Sequence, residues 1–207
     1  AASTFNKDAQ VLKACLQYAV DRGMILDNPS KVIRARKVKD KKILIPSRDQ
    51  FQTLCDTLLG LDPRARESYY LVKLLAVSGM RLSEALNLTW EEIDFKKGFF
   101  IVSGGEVGTK NRQIRNVPLF PAMKTFLLEN YSIENKNKSR RIISIESARK
   151  ALETACRVAG LPHFSHHCLR HFFVSNAIEK GIDFKTIANW IGHKDGGLLV
   201  AKTYGHL

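Results

Sequence analysis

The residues with the greatest chemical capacity in this 207-residue chain are two arginines, two histidines, a lysine and a tyrosine near the C-terminal end. They are Arg81, Lys110, His167, Arg170, His193 and Tyr204. The planar, permanently charged fork of arginine fits phosphate oxygens, so two arginines can stabilise the charge that develops when a phosphodiester is attacked. A tyrosine hydroxyl, with an ordinary pKa of about 10, becomes a nucleophile beside cations or a base. The set predicts strand cleavage of DNA by a tyrosine.

Arg81 and Arg170 are the predicted phosphate-binding pair. Arg81 follows Ser78-Gly79, a break that lets a helix N-terminus approach an anion. Glu84 lies three residues further on the same helical face, so we expect it to hold the Arg81 guanidinium as a supporting residue. Taken alone, this pair is more typical of an exposed arginine with its carboxylate.

Histidine and cysteine are concentrated around Arg170, which leaves two interpretations open. His167 and Arg170 stand at i and i+3 and project from one helical face, as expected of a site that binds an anion and moves a proton. The alternative is a zinc site, because i,i+4 histidine pairs occur in zinc-binding helices. Its candidate ligands are His163, His166, His167, Cys168 and His171. Arg170 would repel a dication there, and no second ligand cluster elsewhere completes a tetrahedral site, so we predict no metal. We predict no other cofactor either.

Lys110 and Tyr204 each have a simpler structural interpretation beside the catalytic one. Lys110 lies in a Gly-Thr-Lys-Asn turn between two strand-like segments, where a mobile ammonium can donate a proton to a leaving oxygen. A lysine in a turn is more often simply solvated. Tyr204 could equally be an ordinary aromatic residue on a terminal helix.

The charge balance supports a polyanionic partner. Lysine and arginine total 33 against 20 acidic residues, a net charge of +13, which favours nucleic acid over an anionic membrane surface. No apolar run approaches the roughly 20 residues of a membrane span, and no signal segment opens the chain. The four scattered cysteines indicate reduced thiols, so we expect a cytoplasmic protein.

The chain divides into two parts joined by a basic segment. Residues 5–26 have the apolar periodicity of one amphipathic helix, which cannot bury its own apolar face and is expected to be the tail of a truncated domain comprising 1–30. Seven of the twelve residues 31–42 are basic and one is acidic. We interpret 31–45 as a linker that lies along phosphates, although charge runs are usually solvated tethers.

The rest, 46–207, is predicted as one mainly α domain with a small antiparallel β-sheet, an α+β fold. Ser47 and Gln50 form a capping-box pattern that opens a helix through Leu59. FFIV and IRNVPL are strand-like and flank a glycine-rich turn. A short helix should carry Arg81 and Glu84. Further helices are predicted over 66–77, 121–130, 146–159, 166–180, 183–192 and 197–205.

Together, in this order, these strings resemble the tyrosine recombinases, the phage integrase family. SGMRLSEALNLTWEEID resembles the first arginine box, GTKNRQIRNVPL the β-hairpin with its lysine, HCLRHFF the HxxR box, IGHKD the second histidine and KTYGH the nucleophile box. Residues 1–42 resemble the last helix of the core-binding domain with its linker. Cys168 departs from the pattern, which more often has Asp there.

The resemblance implies the family's integrase-like fold and its metal-independent chemistry. Tyr204 would attack the scissile phosphate and form a 3′-phosphotyrosyl link, Arg81 and Arg170 would clamp the phosphate, and Lys110 would protonate the leaving oxygen. His167 would act as base or hydrogen-bond partner, and His193 would bind the phosphate. Two functions are alternatives to site-specific recombination: a non-catalytic DNA-binding regulator, and an activity like that of type IB topoisomerases.

The resemblance also implies a partner, double-stranded DNA with a specific attachment or core site, bound by a homotetramer in a bacterial cell. We predict the following residues to bind DNA: Arg34, Arg36, Lys37, Lys39, Lys41, Lys42, Arg112, Arg115, Arg140 and Arg141. In free solution we expect a monomer, with the 197–207 segment either loosely packed or holding Tyr204 away from the two arginines.

Overall fold

The computed structural model describes residues 1–38, 43–103, 114–130 and 140–205. It divides into two compact units, Ala1–Lys42 and Ile43–Leu207. Several predicted functional residues lie outside the described residues: Lys39, Lys41, Lys42, Lys110 and Arg112. In the described part of the chain, no helix is long and apolar enough to span a membrane.

The first unit consists mainly of helix α1, Ala2–Asp21, followed by a 3-10 helix, Pro29–Val32. We predicted the helix over 5–26. It ends earlier because Gly23 adopts φ +68 and the chain turns back, with the Met24 N–H donating to the Ala19 carbonyl at 2.9 Å. Within this described segment α1 has no buried residue. That exposure agrees with an apolar face that the helix cannot cover by itself.

The second unit contains the predicted helices with small shifts at their ends. Among the described residues they are α2 Arg48–Gly60, α3 Arg66–Ser78, α4 Leu82–Asn87, α5 Pro121–Asn130, α6 Arg149–Val158, α7 His166–Glu179, α8 Phe184–Ile191 and α9 Leu198–Tyr204. Short 3-10 helices occupy Pro63–Ala65 and Trp90–Glu92. The capping box of Ser47 and Gln50 is confirmed, with both reciprocal hydrogen bonds present.

A three-stranded antiparallel sheet lies between α4 and α5 in the sequence. Its strands are β1 Ile93–Asp94, β2 Phe99–Val102 and β3 Arg115–Pro118, in the order β1-β2-β3. The register pairs Phe100 with Val117 and Val102 with Arg115. Because side chains alternate along a strand, Phe100 and Val117 point into the core. The predicted α+β fold with a small antiparallel sheet is confirmed.

Two apolar clusters hold the site elements together. The larger is built on α2, α3 and the sheet, and it includes Leu71, Leu75 and Leu169. The smaller joins α7, α8 and α9 and contains Val174, Ile191, Val200 and Tyr204. Burial of these side chains fixes the ends of α3, α7, α8 and α9 relative to one another.

Candidate active site

Arg81 lies where α3 ends and α4 begins. Gly79 ends α3 with φ +65, and Arg81 is the N-cap residue of α4. The Arg81 guanidinium donates to the Glu84 carboxylate through Nη1 at 2.9 Å and to the Gly192 carbonyl through Nη2 at 3.1 Å. It is therefore held in place on two sides while its side chain keeps 21% of its surface exposed. A fixed but accessible guanidinium suits anion binding.

Glu84 connects two arginines. Its carboxylate accepts from Arg81 and from Arg115, whose Nη1 and Nη2 reach the two oxygens at 3.1 and 2.8 Å. Burial alone would raise the pKa of Glu84, but the hydrogen bonds and charges of Arg115 and Arg81 outweigh it and lower the pKa below its ordinary value. Glu84 is thus a buried anion that orients both guanidinium groups.

Arg115 is located inside this site rather than on open surface. Its side chain is only 10% exposed, and Nε donates to the Trp190 carbonyl at 2.7 Å. The assignment of Arg115 as a DNA-binding residue stays a prediction, but its observed partners are Glu84 and Trp190. The guanidinium ties β3 to both α4 and the end of α8.

Arg170, on α7, is more deeply buried than Arg81. Nη1 donates to the Gly79 carbonyl at 2.8 Å and Nη2 to the Ile191 carbonyl at 2.6 Å. Burial, and then the charge of Arg81, lowers the pKa of Arg170 to about 9, so the guanidinium stays protonated at neutral pH. Two positive guanidinium groups therefore occur in the same part of the molecule, as predicted from the residue types.

His193 follows α8 and lies against Arg170. Its Nε2 is 3.2 Å from Arg170 Nη2. Because a guanidinium can only donate, Nε2 accepts and the proton of the neutral ring is on Nδ1. Burial lowers the pKa of His193, with Arg170 and Arg81 adding to the effect, so the neutral form is favoured. Nδ1 is enclosed and has no hydrogen-bond partner among the described residues.

His167 and His171 occupy one face of α7, one turn apart. Their rings meet edge to face, with centroids 4.5 Å apart. Burial lowers the pKa of His167, and the charges of Arg170 and Arg81 lower it further. The His167 residue keeps an exposed surface and is neutral at pH 7, so it can take a proton from a group that approaches the arginines.

Tyr204 is the last residue of α9 and is buried, with 5% of its surface exposed. Its hydroxyl forms a hydrogen bond with Nδ1 of His171. Burial raises the pKa of Tyr204, and the charge of Arg170 opposes that effect. Of the two arrangements expected for the 197–207 segment, loose packing is wrong for α9, because Val200 and Tyr204 both insert into the smaller apolar cluster. The other, in which Tyr204 is held away from the two arginines, stays a prediction.

One cavity of about 410 Å³ collects the described members of the predicted set. Its lining includes the following site residues: Arg81, His167, Arg170, His171, His193 and Tyr204. Five of the six predicted catalytic residues thus share one cavity although they are up to 123 positions apart in sequence (204 − 81). The sixth, Lys110, is outside the described residues.

Three of the five candidate ligands of the alternative zinc site have other hydrogen-bond partners. His166 Nε2 accepts the Ala148 N–H at 3.1 Å, and Cys168 Sγ accepts the Ser165 N–H at 3.3 Å as part of a helix cap. His171 is bonded to Tyr204. Within the ranges that the structure describes, no group of three or more His, Cys, Asp or Glu side chains is arranged to hold a metal ion.

The remaining predicted DNA-binding residues that can be located are on the surface of their own units. Arg34, Arg36 and Lys37 are exposed in the first unit, where the Arg36 guanidinium lies 3.8 Å from the Phe5 ring centroid. Arg140 and Arg141 are exposed in the second, and Arg141 is 3.6 Å from Glu146. Exposed cations of this kind are available to phosphates.

Sequence reasoning missed three contributors to the site. Arg115 was assigned only to DNA, and His171 only to a possible metal cluster. Gly192 is only the last residue of the helix predicted over 183–192, yet a Cβ built there would lie 2.9 Å from Arg115 Nη1 and 3.3 Å from Arg81 Nη1. The i,i+4 spacing of His167 and His171 was the available signal for a shared face.

Comparison with known proteins agrees with this fold. Residues 47–207 match the model of the phage integrase family. Along its whole length the chain is 27% identical to the tyrosine recombinase XerC of Lactobacillus delbrueckii subsp. bulgaricus, over 73% of that protein. Over 59% of the chain it is 35% identical to the tyrosine recombinase XerA of Pyrococcus furiosus, which it covers to 45%.

Solved structures share the fold at low identity. A lambda integrase dimer bound to a COC' core site superposes with a TM-score of 0.77 at 19% identity, over 98% of this chain and 59% of that one. The Tn1549 transposon integrase in complex with a circular intermediate DNA gives 0.75 at 18% identity, over 98% and 74%. Because the family match spans far more than half of its residues, the chain belongs to the phage integrase family.

Proposed function

We propose that this chain is a tyrosine recombinase that carries out site-specific DNA recombination through a 3′-phosphotyrosyl intermediate. The observation that carries the proposal is the cavity in which Tyr204 lies with Arg81, His167, Arg170 and His193. A buried tyrosine hydroxyl among two guanidinium groups and two neutral imidazoles has the parts needed to attack a phosphodiester. The named relatives are tyrosine recombinases, which supports the same chemistry.

In the proposed reaction the Tyr204 oxygen attacks the phosphorus and forms a P–O bond while the bond to the 5′ oxygen breaks. The phenol proton passes to a neutral imidazole, with His167 as the base or hydrogen-bond partner. Lys110 supplies a proton to the leaving 5′ oxygen. Arg81 and Arg170 stabilise the charge on the non-bridging oxygens. The covalent link conserves the energy of the broken bond, so a 5′-hydroxyl of a partner strand can reverse the step without ATP.

The state of Tyr204 indicates when it becomes reactive. Its pKa is raised by burial, so the hydroxyl is protonated at neutral pH. Removal of its proton therefore depends on the assembled site, in which cations lie next to the phenol oxygen and a base accepts the proton. Activity is accordingly expected only on a bound phosphate.

The proposed partner is double-stranded DNA, which agrees with the net charge of +13. Related structures include a lambda integrase tetramer bound to a Holliday junction. By analogy we propose that this recombinase assembles as a homotetramer on its DNA site.

The test is covalent trapping. The chain is incubated with nicked duplexes of random sequence in EDTA, and protein–DNA adducts are isolated by denaturing gel and sequenced. Wild type should form an adduct at a defined site, and Tyr204→Phe should form none while it still binds DNA. Tyr18→Phe, at an exposed tyrosine of α1, is the matched control and should behave like wild type.

Two outcomes would contradict the proposal. Binding without any adduct would favour a non-catalytic DNA-binding regulator. Adducts at every sequence, together with relaxation of supercoiled plasmid by the wild type, would favour an activity like that of type IB topoisomerases.

A further inference from the structure

The hydrogen bond between His171 and Tyr204 joins two helices, at residues that are 33 positions apart in sequence. His171 lies on α7, one turn after His167 and next to Arg170. Tyr204 ends α9. Neither the strand-cleavage steps above nor the phosphate contacts use His171, although it touches the oxygen that would become the nucleophile.

A buried phenol needs a hydrogen-bond acceptor. A buried hydroxyl without one loses its hydration and gains nothing in exchange, and Tyr204 is 5% exposed. In the described structure the group within hydrogen-bond distance of its oxygen is Nδ1 of His171, so a hydroxyl that donates does so to this nitrogen. The position of the hydroxyl therefore depends on this imidazole as well as on the apolar contacts of the ring.

His171 can serve as an acceptor only when Nδ1 carries no proton. Burial, then His167 and Arg170, lowers the pKa of His171 to about 4. The ring is therefore neutral at pH 7, with its proton on Nε2. Because the neutral imidazole is such a weak base here, the phenol keeps its proton in this contact and no proton is transferred.

The location of His171 and Tyr204 indicates that their contact holds the hydroxyl where it can react, not where it is kept from reacting. Both side chains line the same cavity as Arg81 and Arg170. Val200, one turn before Tyr204, is fully buried and fixes α9 in place. The helix thus sets where the ring enters the cavity, and His171 sets where the hydroxyl points.

We propose that His171 is a positioning residue for the nucleophile, which accepts the Tyr204 hydroxyl and keeps its oxygen in the cavity that binds the scissile phosphate. This inference deepens the proposed function and, for its catalytic consequence, rests on it. The contact is a hydrogen bond only, and no bond is made or broken in it.

The variants separate the acceptor from the bulk of the ring. His171→Phe keeps a ring and removes the acceptor, whereas His171→Asn places an amide oxygen close to the position of Nδ1. His163→Phe, at an exposed histidine just before α7, is the matched control. If His171→Phe fails to fold, His171→Gln is used in its place. Its amide oxygen lies one methylene further from the backbone, so the acceptor is displaced from the position of Nδ1.

The first measurement needs no DNA. Nitration of tyrosines by tetranitromethane is mapped by peptide mass spectrometry, with exposed Tyr18 as the internal reference. Tyr204 should be protected in wild type, in His163→Phe and in His171→Asn. In His171→Phe its nitration should rise about tenfold, the factor that corresponds to one net hydrogen bond.

The second measurement is single-turnover adduct formation on nicked duplex. His171→Phe should slow adduct formation about tenfold at unchanged DNA affinity, because the variant again loses one net hydrogen bond. His171→Asn should recover most of the rate. The defect should persist on a substrate with a 5′-bridging sulfur, because a thiolate leaves without a proton donor. Rescue by sulfur would instead assign His171 to the leaving-group side and overturn the proposal.

Two further results would overturn it. Equal nitration of Tyr204 in all variants would show that His171 does not hold the hydroxyl. Faster adduct formation by His171→Phe would make the contact an inhibitory one. If wild type forms no adduct, the proposed function fails, but the nitration result still decides whether His171 positions Tyr204.

Discussion

Single residues account for the charge arrangement of this site. The Glu84 carboxylate is 1% exposed and neutralises part of the charge of Arg81 and Arg115. Three guanidinium groups, including that of Arg170, could not lie so close together without this anion, because like charges repel strongly where water is excluded. The site therefore keeps a positive excess while each cation stays in a fixed orientation.

We expect Glu84→Gln to be strongly disruptive. The amide has nearly the same shape but no charge, so two cations lose their buried partner, which should cost about 3 kcal/mol of unfolding free energy. Adduct formation should fall about 100-fold because Arg81 loses its orientation. Urea unfolding and single-turnover cleavage check this. Glu146→Gln, at an exposed carboxylate beside Arg141, is the control and should cost at most about 0.5 kcal/mol. Equal effects of the two variants would contradict the prediction.

At the scale of elements, the turns that end α3 and α8 bring the arginines together. Gly79 and Gly192 both cap helices with positive φ, and their carbonyls accept from Arg170 and Arg81 respectively. Helix ends leave free carbonyls, and here guanidinium groups occupy them. The two turns thus hold α7 against the end of α3 and α4 against the end of α8.

Gly192→Ala should damage the site as well as the fold. A side chain at φ +69 is strained, and its Cβ would lie 2.9 Å from Arg115 Nη1. Gly181 has φ +77 and open space around its Cβ position, so Gly181→Ala reports the backbone strain alone, about 1 kcal/mol. We expect Gly192→Ala to lose adduct formation at least tenfold while Gly181→Ala keeps it, in assays at a temperature where both are folded. Similar activity in the two variants would show that Arg81 still functions when a methyl group at position 192 displaces it.

The basic segment 31–42 gives a second prediction at this scale. Replacing Lys37, Lys39, Lys41 and Lys42 by Gln should flatten the plot of log K for DNA binding against log salt, by about 0.9 for each phosphate that the segment no longer neutralises. Fluorescence anisotropy from low to moderate salt measures the slope. The control replaces four lysines outside the segment by Gln and so removes the same charge: Lys13, Lys96, Lys97 and Lys124. An unchanged slope in the first variant would mean that the segment is a solvated tether.

For the whole molecule, the site makes stability depend on pH. The pKa values of His166, His167, His171 and His193 all lie below the ordinary value, mainly through burial. The unfolded chain therefore binds more protons than the native one as pH falls. The stability that these neutral histidines contribute is complete above about pH 6.5 and is lost as pH falls toward the native pKa, about 4 for His171.

Acidification should accordingly weaken the fold. Between pH 7.5 and 5.0 we expect His171 alone to reduce the unfolding free energy by about 1 kcal/mol, a value already reduced for its partial exposure. Urea unfolding at the two pH values measures the difference, and His171→Asn should show a smaller one. An unfolding free energy that rises on acidification would contradict the assignment of neutral histidines.

Sequence alone determined the class of chemistry and most elements. Arginine, histidine and tyrosine in five ordered boxes indicated the reaction because few residue types can bind and attack a phosphate without a metal. Helix starts and ends were also local information. Ser47 with Gln50 and the glycines after α3, α7 and α8 encode their own caps, since these hydrogen bonds and positive φ angles involve neighbouring residues.

Only the tertiary structure decided which groups meet. Arg115 and Glu84 are 31 residues apart, and His171 and Tyr204 are 33 apart, so no local pattern pairs them. Whether a tyrosine in KTYGH is exposed or buried depends on Val200 and the cluster below α9. The same burial sets the pKa directions of Tyr204 and His171. These properties arise from desolvation and packing, which exist only once distant segments have come together.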